Sequence, residues 1–116
     1  MIDDSMAQRW TSYMGAFAAA TDHERERLLE GSVSEDVVFT NPGSEGRGRA
    51  GLSAHIQHFQ AANPGAYFNT ERLFEQKNTL LAIWSMYKQD GTKVATGYNF
   101  VTPHSDGLFA YMAGFF

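Results

Sequence analysis

The sequence predicts an α+β fold, with three helices in the N-terminal half packed on a curved antiparallel sheet. Three observations carry this. Up to about residue 62, apolar residues mostly recur at helical spacing, interrupted by one strand-like run at 37–41. Beyond that point alternation dominates, and the chain breaks into four strands joined by turns, a meander. Within the meander, Leu80–Val101 (LLAIWSMYKQDGTKVATGYNFV) reads as a long hairpin with Asp90-Gly91 at its tip, the pair favoured where a two-residue turn needs positive φ. Helices segregated from an antiparallel sheet define the class.

The elements follow in order. Asp4 or Ser5 caps a first helix, and Asp3 and Asp4 complement its dipole. Met6, Trp10, Tyr13, Met14 and Phe17 form its apolar stripe. Thr21-Asp22-His23-Glu24 has the capping-box pattern and opens a short second helix, anchored by Leu28 and Leu29 and ended at Gly31. Val37–Asn41 reads as a strand stopped by Pro42, with Asn41 on the face of Val37 and Phe39. Residues 42–51 read as a glycine-rich loop. A third helix runs from about Gly51 to Ala62, with Leu52, His55, Ile56 and Phe59 on one side, and Asn63-Pro64-Gly65 stops it. Strands near 66–77 and 108–116 flank the hairpin, with turns at Asn78 and at His104–Gly107. The whole, 1–116, reads as one domain.

Alternation sorts the hairpin into two faces, because cross-strand partners share a side. One face carries Leu80, Ala82, Trp84, Met86, Ala95, Gly97, Asn99 and Val101. Small residues opposite a tryptophan leave room there for a cavity. The other face carries Leu81, Ile83, Ser85, Tyr87, Val94, Thr96, Tyr98 and Phe100 and is also largely apolar. Helices cover the first. The second needs a partner, so a homodimer through the sheet is expected, with Ile83, Tyr98 and Phe100 in the contact.

Composition excludes several function classes. Hydrophobic residues make up 43% and aromatics 14%, which is globular. A net charge of −4 argues against nucleic acid or an anionic membrane as the main partner. Without cysteine there is no disulfide framework or thiolate chemistry; no leader pattern or membrane-length apolar run is visible, and a cytoplasmic protein is expected. Gly46–Gly51 matches the dinucleotide pattern GxGxxG, but that site belongs to a parallel βαβ sheet, and the rest of this chain is a meander. No cofactor is expected. His55 and His58 lack a third ligand at metal spacing, and His23 and His104 fall in turns, so no metal is expected either.

The candidate site residues are few. His55, on the apolar side of its helix, is either a satisfied core histidine or a general acid/base. Tyr13 and Trp10 either pack in the core or present a hydroxyl and an indole N–H to a ligand. Asn41 and Asn99 are amides on inward strand faces. A buried amide needs a hydrogen bond, whether from a loop, water or a ligand. No Ser-His-Asp arrangement is supported by spacing.

On these residues the chain resembles the nuclear-transport-factor-2-like superfamily, a cone-shaped α+β fold. Within it the chain is similar to the SnoaL-like polyketide cyclases and, more distantly, to ketosteroid isomerase. The resemblance rests on the element order, on DVVFTNP followed by GSEGRGRAGL, on NPGAYF and on the hairpin with its DG turn. It implies a deep apolar pocket between helices and sheet, and often a homodimer through sheet surfaces. It places Tyr13 near the isomerase's hydroxyl donor, Asn41 at its catalytic Asp before Pro, and Asn99 at its protonated Asp. An amide can donate but cannot take and return a proton, so Asn41 cannot be the base. The expected protein binds an apolar or aromatic small molecule bearing a carbonyl or hydroxyl. Trp10, Phe39, Phe59, Trp84, Met86 and Phe115 form the walls, and His55, Asn99, Asn41 and Tyr13 the polar contacts. Its function is cofactor-independent cyclase, isomerase or dehydratase chemistry; the alternative is a binding or accessory protein that lacks the family's carboxylates.

Overall fold

The computed structural model describes residues 5–116. Its elements run α1 (Ser5–Ala16), α2 (Asp22–Glu30), β1 (Val33–Asn41), β2 (Ser44–Arg47), α3 (Arg49–Ala62), β3 (Tyr67–Gln76), β4 (Thr79–Tyr87), β5 (Lys93–Pro103) and β6 (Phe109–Phe115). The three helices pack on a six-stranded, open, curved sheet of order β2-β1-β6-β5-β4-β3. This is the expected α+β arrangement, with one difference. The pairing of β1 with β6 is parallel, because after β1 the chain crosses by way of α3 to the far edge of the sheet, and the meander returns its last strand, β6, beside β1. All other pairings are antiparallel.

Local signals place most ends. The Thr21 hydroxyl accepts from the Glu24 N–H at 3.1 Å, and Glu24 Oε1 reaches back to the Ala20 N–H at 3.2 Å, so the capping box is formed one residue wide of its usual span. Of the cap candidates for α1, Asp4 lies outside the described residues, and Ser5 is the first residue of the helix. Lys77 and Asn78 both have positive φ and make a two-residue turn between β3 and β4.

Two sequence expectations are corrected. The glycine-rich segment 42–51 is not all loop: Ser44–Arg47 folds back on β1 as β2, and Gly48, at φ 86°, opens α3 two residues earlier than expected. Gly46 faces Phe39 with no side chain, and a Cβ there would collide with the ring, so this glycine seats the aromatic rather than loosening the loop. The hairpin tip is also longer than a two-residue turn. Lys88 N–H donates to Thr92 O, Gly91 N–H donates to Lys88 O with Gly91 at φ 91°, and the register slips between Met86 and Tyr87. From Met86↔Ala95 through Trp84↔Gly97 to Leu80↔Val101 the register is the predicted one.

The core lies between the helices and one sheet face. Trp10, Leu29, Leu52 and Ile56 from the helices meet Val37, Leu80, Ala82, Val101, Phe109 and Met112 from the strands. The opposite face leaves Phe74, Leu81, Tyr98, Phe100, Tyr111 and Phe115 exposed. Among the described residues no helix is long and apolar enough to cross a membrane.

Candidate functional site

A cavity of about 490 Å³ opens between α1, α3 and the inner sheet face. Its apolar wall is a run of touching rings. Tyr13 meets Phe17 (centroids 5.3 Å), Phe17 meets Phe68 (5.2 Å), Phe68 meets Trp84 (5.2 Å), and Trp84 meets Phe116 (5.8 Å). Phe59 packs against both Phe17 and Phe68. The tilted and edge-on geometries are those aromatic pairs prefer.

Of the residues singled out in the sequence, Tyr13, Phe39, Asn41, His55, Phe59, Trp84, Met86 and Asn99 all line this cavity. Trp10 does not. It is fully buried beneath α1, and its indole N–H donates to Thr70 Oγ1 at 2.9 Å, so it is a core residue. Phe115 does not either. Asn99 pairs with Gly114 and Tyr98 with Phe115, so alternation turns Phe115 to the outer face, where it is 58% exposed. Its place at the cavity is taken by Phe116. The room opposite Trp84 is also not empty: the indole lies over Gly97, where any Cβ would collide with the ring. Of the small residues on this face, Ala95 and Gly114 line the cavity and Gly97 does not.

Other lining residues were missed. Phe68 lay in a predicted strand to which no face could be assigned. The register slips at Glu71, so Thr70 opposes Trp84 while Arg72 opposes Ile83, and simple alternation changes face there. Met14 on α1 and Phe17 just past its end continue the apolar stripe read in the sequence and were legible as such. His58 and Gly114 required the tertiary arrangement.

Donor chemistry fixes the polar groups. The Trp84 indole N–H, which can only donate, meets Asn99 Oδ1 at 2.9 Å in a buried bond. The amide of Asn99 is thereby oriented, and its nitrogen, with no partner among the described residues, is the group left to face the cavity. Asn41 is oriented the same way: Oδ1 accepts from the Gly43 N–H at 2.9 Å and the Ser44 hydroxyl at 3.1 Å. Both amides thus offer N–H. Burial pushes the Tyr13 phenol above its ordinary range, so its hydroxyl keeps its proton and is a third donor. Burial, and secondly the neighbouring His58, push the His55 imidazole below its ordinary value, so at neutral pH it is the free base. His55 is half-buried against the Phe39 ring, centroids 5.6 Å apart. Among the described residues lining the cavity there is no Asp, Glu, Lys or Arg, and nowhere among them do three His, Asp or Glu side chains gather as a metal site needs.

Fold and site together define a small helix-on-curved-sheet protein with an aromatic cavity floored by amide donors. Residues 12–112 match the SnoaL-like domain. The chain belongs to that family. Among solved structures it is similar to a provisionally assigned isomerase of the SnoaL-like family from Agrobacterium tumefaciens (22% identity, 97% of each chain covered, TM-score 0.90). It is also similar to an NTF2-like protein of unknown function from an Exiguobacterium species (18%, 91% of this chain and 95% of that one, 0.74). A third is a provisionally assigned polyketide cyclase from Sinorhizobium meliloti (15%, 95% and 97%, 0.74). At these identities the likeness establishes the fold. No curated protein matches the chain.

Proposed function

We propose that the cavity binds an apolar or aromatic carbonyl compound and that the protein carries out cofactor-independent acid/base chemistry on it, of the cyclase, isomerase or dehydratase kind. The observation that carries this is the Trp84–Asn99 bond, which leaves Asn99 only N–H to offer beside the protonated Tyr13. In this reading the carbonyl oxygen takes those two donors. Neutral His55 accepts a proton from the carbon next to the carbonyl, the electron pair moves onto oxygen, and the imidazolium returns the proton at a second position. A positioned base is worth about 10²–10⁴-fold, and removing one preorganised donor to an oxyanion costs about 10²–10³-fold. The isomerase and cyclase assignments of the neighbouring structures support the reaction class.

The test needs no natural substrate. Exchange of the α-protons of butyrophenone in D₂O, followed by NMR, needs only a base and an oxyanion site. The native protein is expected to accelerate it and His55→Gln to lose about 100-fold of that; native exchange no faster than with free imidazole would overturn the reading.

A second reading is a non-catalytic ligand-binding or accessory protein. The amides Asn41 and Asn99 favour it, since the resemblance implies carboxylates at both positions. Tight ketone binding without exchange would select it. In either reading we propose a homodimer through the exposed outer face, where Phe74, Leu81, Tyr98, Phe100, Tyr111 and Phe115 leave an apolar surface unpaired.

A further inference from the structure

We propose that the ligand is an apolar oxo-carboxylate, its ketone oxygen at Tyr13 and Asn99 and its carboxylate at Asn41. This rests on the reading of the cavity as a carbonyl site and narrows it.

Three residues in one row across the sheet carry the argument. Asn99 on β5 pairs with Gly114 on β6, and the parallel register Thr40↔Ala113 sets Asn41 on β1 beside the same glycine. The two amide-bearing Cα atoms are therefore about 10 Å apart, two strand spacings. Gly114 puts no side chain between them; a Cβ there would lie 3.4 Å from Asn99 Oδ1 and 3.6 Å from Asn41 Cβ. The floor is thus a gap bordered by the Phe116 ring, 3.7 Å from where that Cβ would lie, with an amide on either side, each with its oxygen already engaged by protein donors and its N–H₂ left over. One ketone oxygen can satisfy one side only. The half-buried Asn41 side has donors free for a second acceptor, and the position cannot supply a base.

The charge of that acceptor follows from what surrounds it. No Asp or Glu among the described lining residues would repel an anion, and no Lys or Arg is there to neutralise one. The titratable groups that face the space are His55 and His58 from α3 and Tyr13 from α1. A bound carboxylate favours the imidazolium, so it opposes the effect of burial on His55 and draws that group back up toward its ordinary value. Affinity therefore rises as the pH falls through the imidazole range, until the carboxylate itself protonates. A neutral ketone has no such linkage.

Isothermal titration with three probes tests this: benzoylpropionate, which carries both groups; butyrophenone, the ketone alone; and phenylbutyrate, the carboxylate alone. Benzoylpropionate is expected to bind at least about tenfold tighter than either single-group probe, with a margin that widens from about pH 7.5 to about pH 5.5. Asn41→Asp keeps the acceptor for the Gly43 N–H but replaces the donor by a negative charge. It is expected to weaken benzoylpropionate by at least about tenfold and so to erase its margin over butyrophenone. Butyrophenone binding as tightly as benzoylpropionate, or an equal loss of both in Asn41→Asp, overturns the proposal while leaving the carbonyl site standing. Failure of all three probes overturns both.

Discussion

The indole N–H of Trp84 donates to the side-chain oxygen of Asn99 at 2.9 Å, between adjacent strands and fifteen positions apart in sequence. Two consequences follow. The tryptophan is held flat over Gly97, which leaves the rest of the inner face open, and the asparagine is turned so that only its donors remain free. One hydrogen bond therefore sets both the shape of the cavity and the polarity of its floor.

Gly97→Ala puts a methyl group where the Trp84 ring lies, and the ring is pinned at its other end. It is expected to destabilise the protein by about 1–3 kcal/mol, the usual cost of overpacking a core. Asn99→Leu leaves the buried indole N–H unpaired, at a cost of about 1–3 kcal/mol, whereas Asn99→Asp keeps the acceptor. Urea denaturation of the three variants checks the order.

Gly114→Ala separates stability from function. The added methyl finds ordinary contact distances, so a strand glycine is replaced without strain and stability rises by about 0.5–1 kcal/mol. The same methyl enters the gap between Asn41 and Asn99, and butyrophenone affinity is expected to fall by about fivefold or more. A variant that is more stable and binds equally well would remove the floor from the account.

His55 gives a pH dependence of definite sign. Its folded value is lowered, so below about 6.5, the unfolded imidazole value, the unfolded chain binds more protons. The stability contributed by the neutral ring is present above that value and is lost as the pH falls from it through the lowered folded value. Thermal unfolding from pH 7 downward should show this decline in the native protein and a flatter profile in His55→Gln. Asp36, held below its ordinary range by hydrogen bonds from Ser34 and His104, acts in the separate carboxylate window: its contribution is present above that window and lost below it. An identical slope for both proteins above pH 5 would rule out the His55 assignment.

The outer face predicts association. Light scattering at micromolar concentration should report twice the chain mass, and Phe100→Glu, at the middle of the exposed patch, should halve it. A monomeric native protein would contradict the dimer.

Much of this was legible in the sequence, for definite reasons. The β4–β5 register from Met86↔Ala95 onward followed from alternation and the Asp-Gly tip, and it placed Trp84, Asn99 and Met86 on one face without tertiary information. Asn41 and His55 were legible as polar groups on apolar faces. Phe115 was misplaced because strand 108–116 had no partner residue to fix its parity; only the pairing of Asn99 with Gly114 does so. Trp10 was misplaced because one helical stripe serves both the sealed core and the cavity rim, and the stripe does not say where along it the rim begins. The bulge at Glu71 hid Phe68, and β2 was hidden because glycine, read as flexibility, here makes room for the Phe39 ring.

In the proposed function the space beside Trp84 receives a ligand. The chain has two tryptophans, one sealed in the core and one on the cavity wall, so Trp10→Phe leaves Trp84 as the sole indole reporter. Titrating that variant with butyrophenone should change its fluorescence saturably at sub-millimolar concentration, as expected for a ligand of this size. The change should disappear when Gly114→Leu fills the floor. Emission that stays constant to saturation of the probe, or responds equally with the floor filled, would contradict the account.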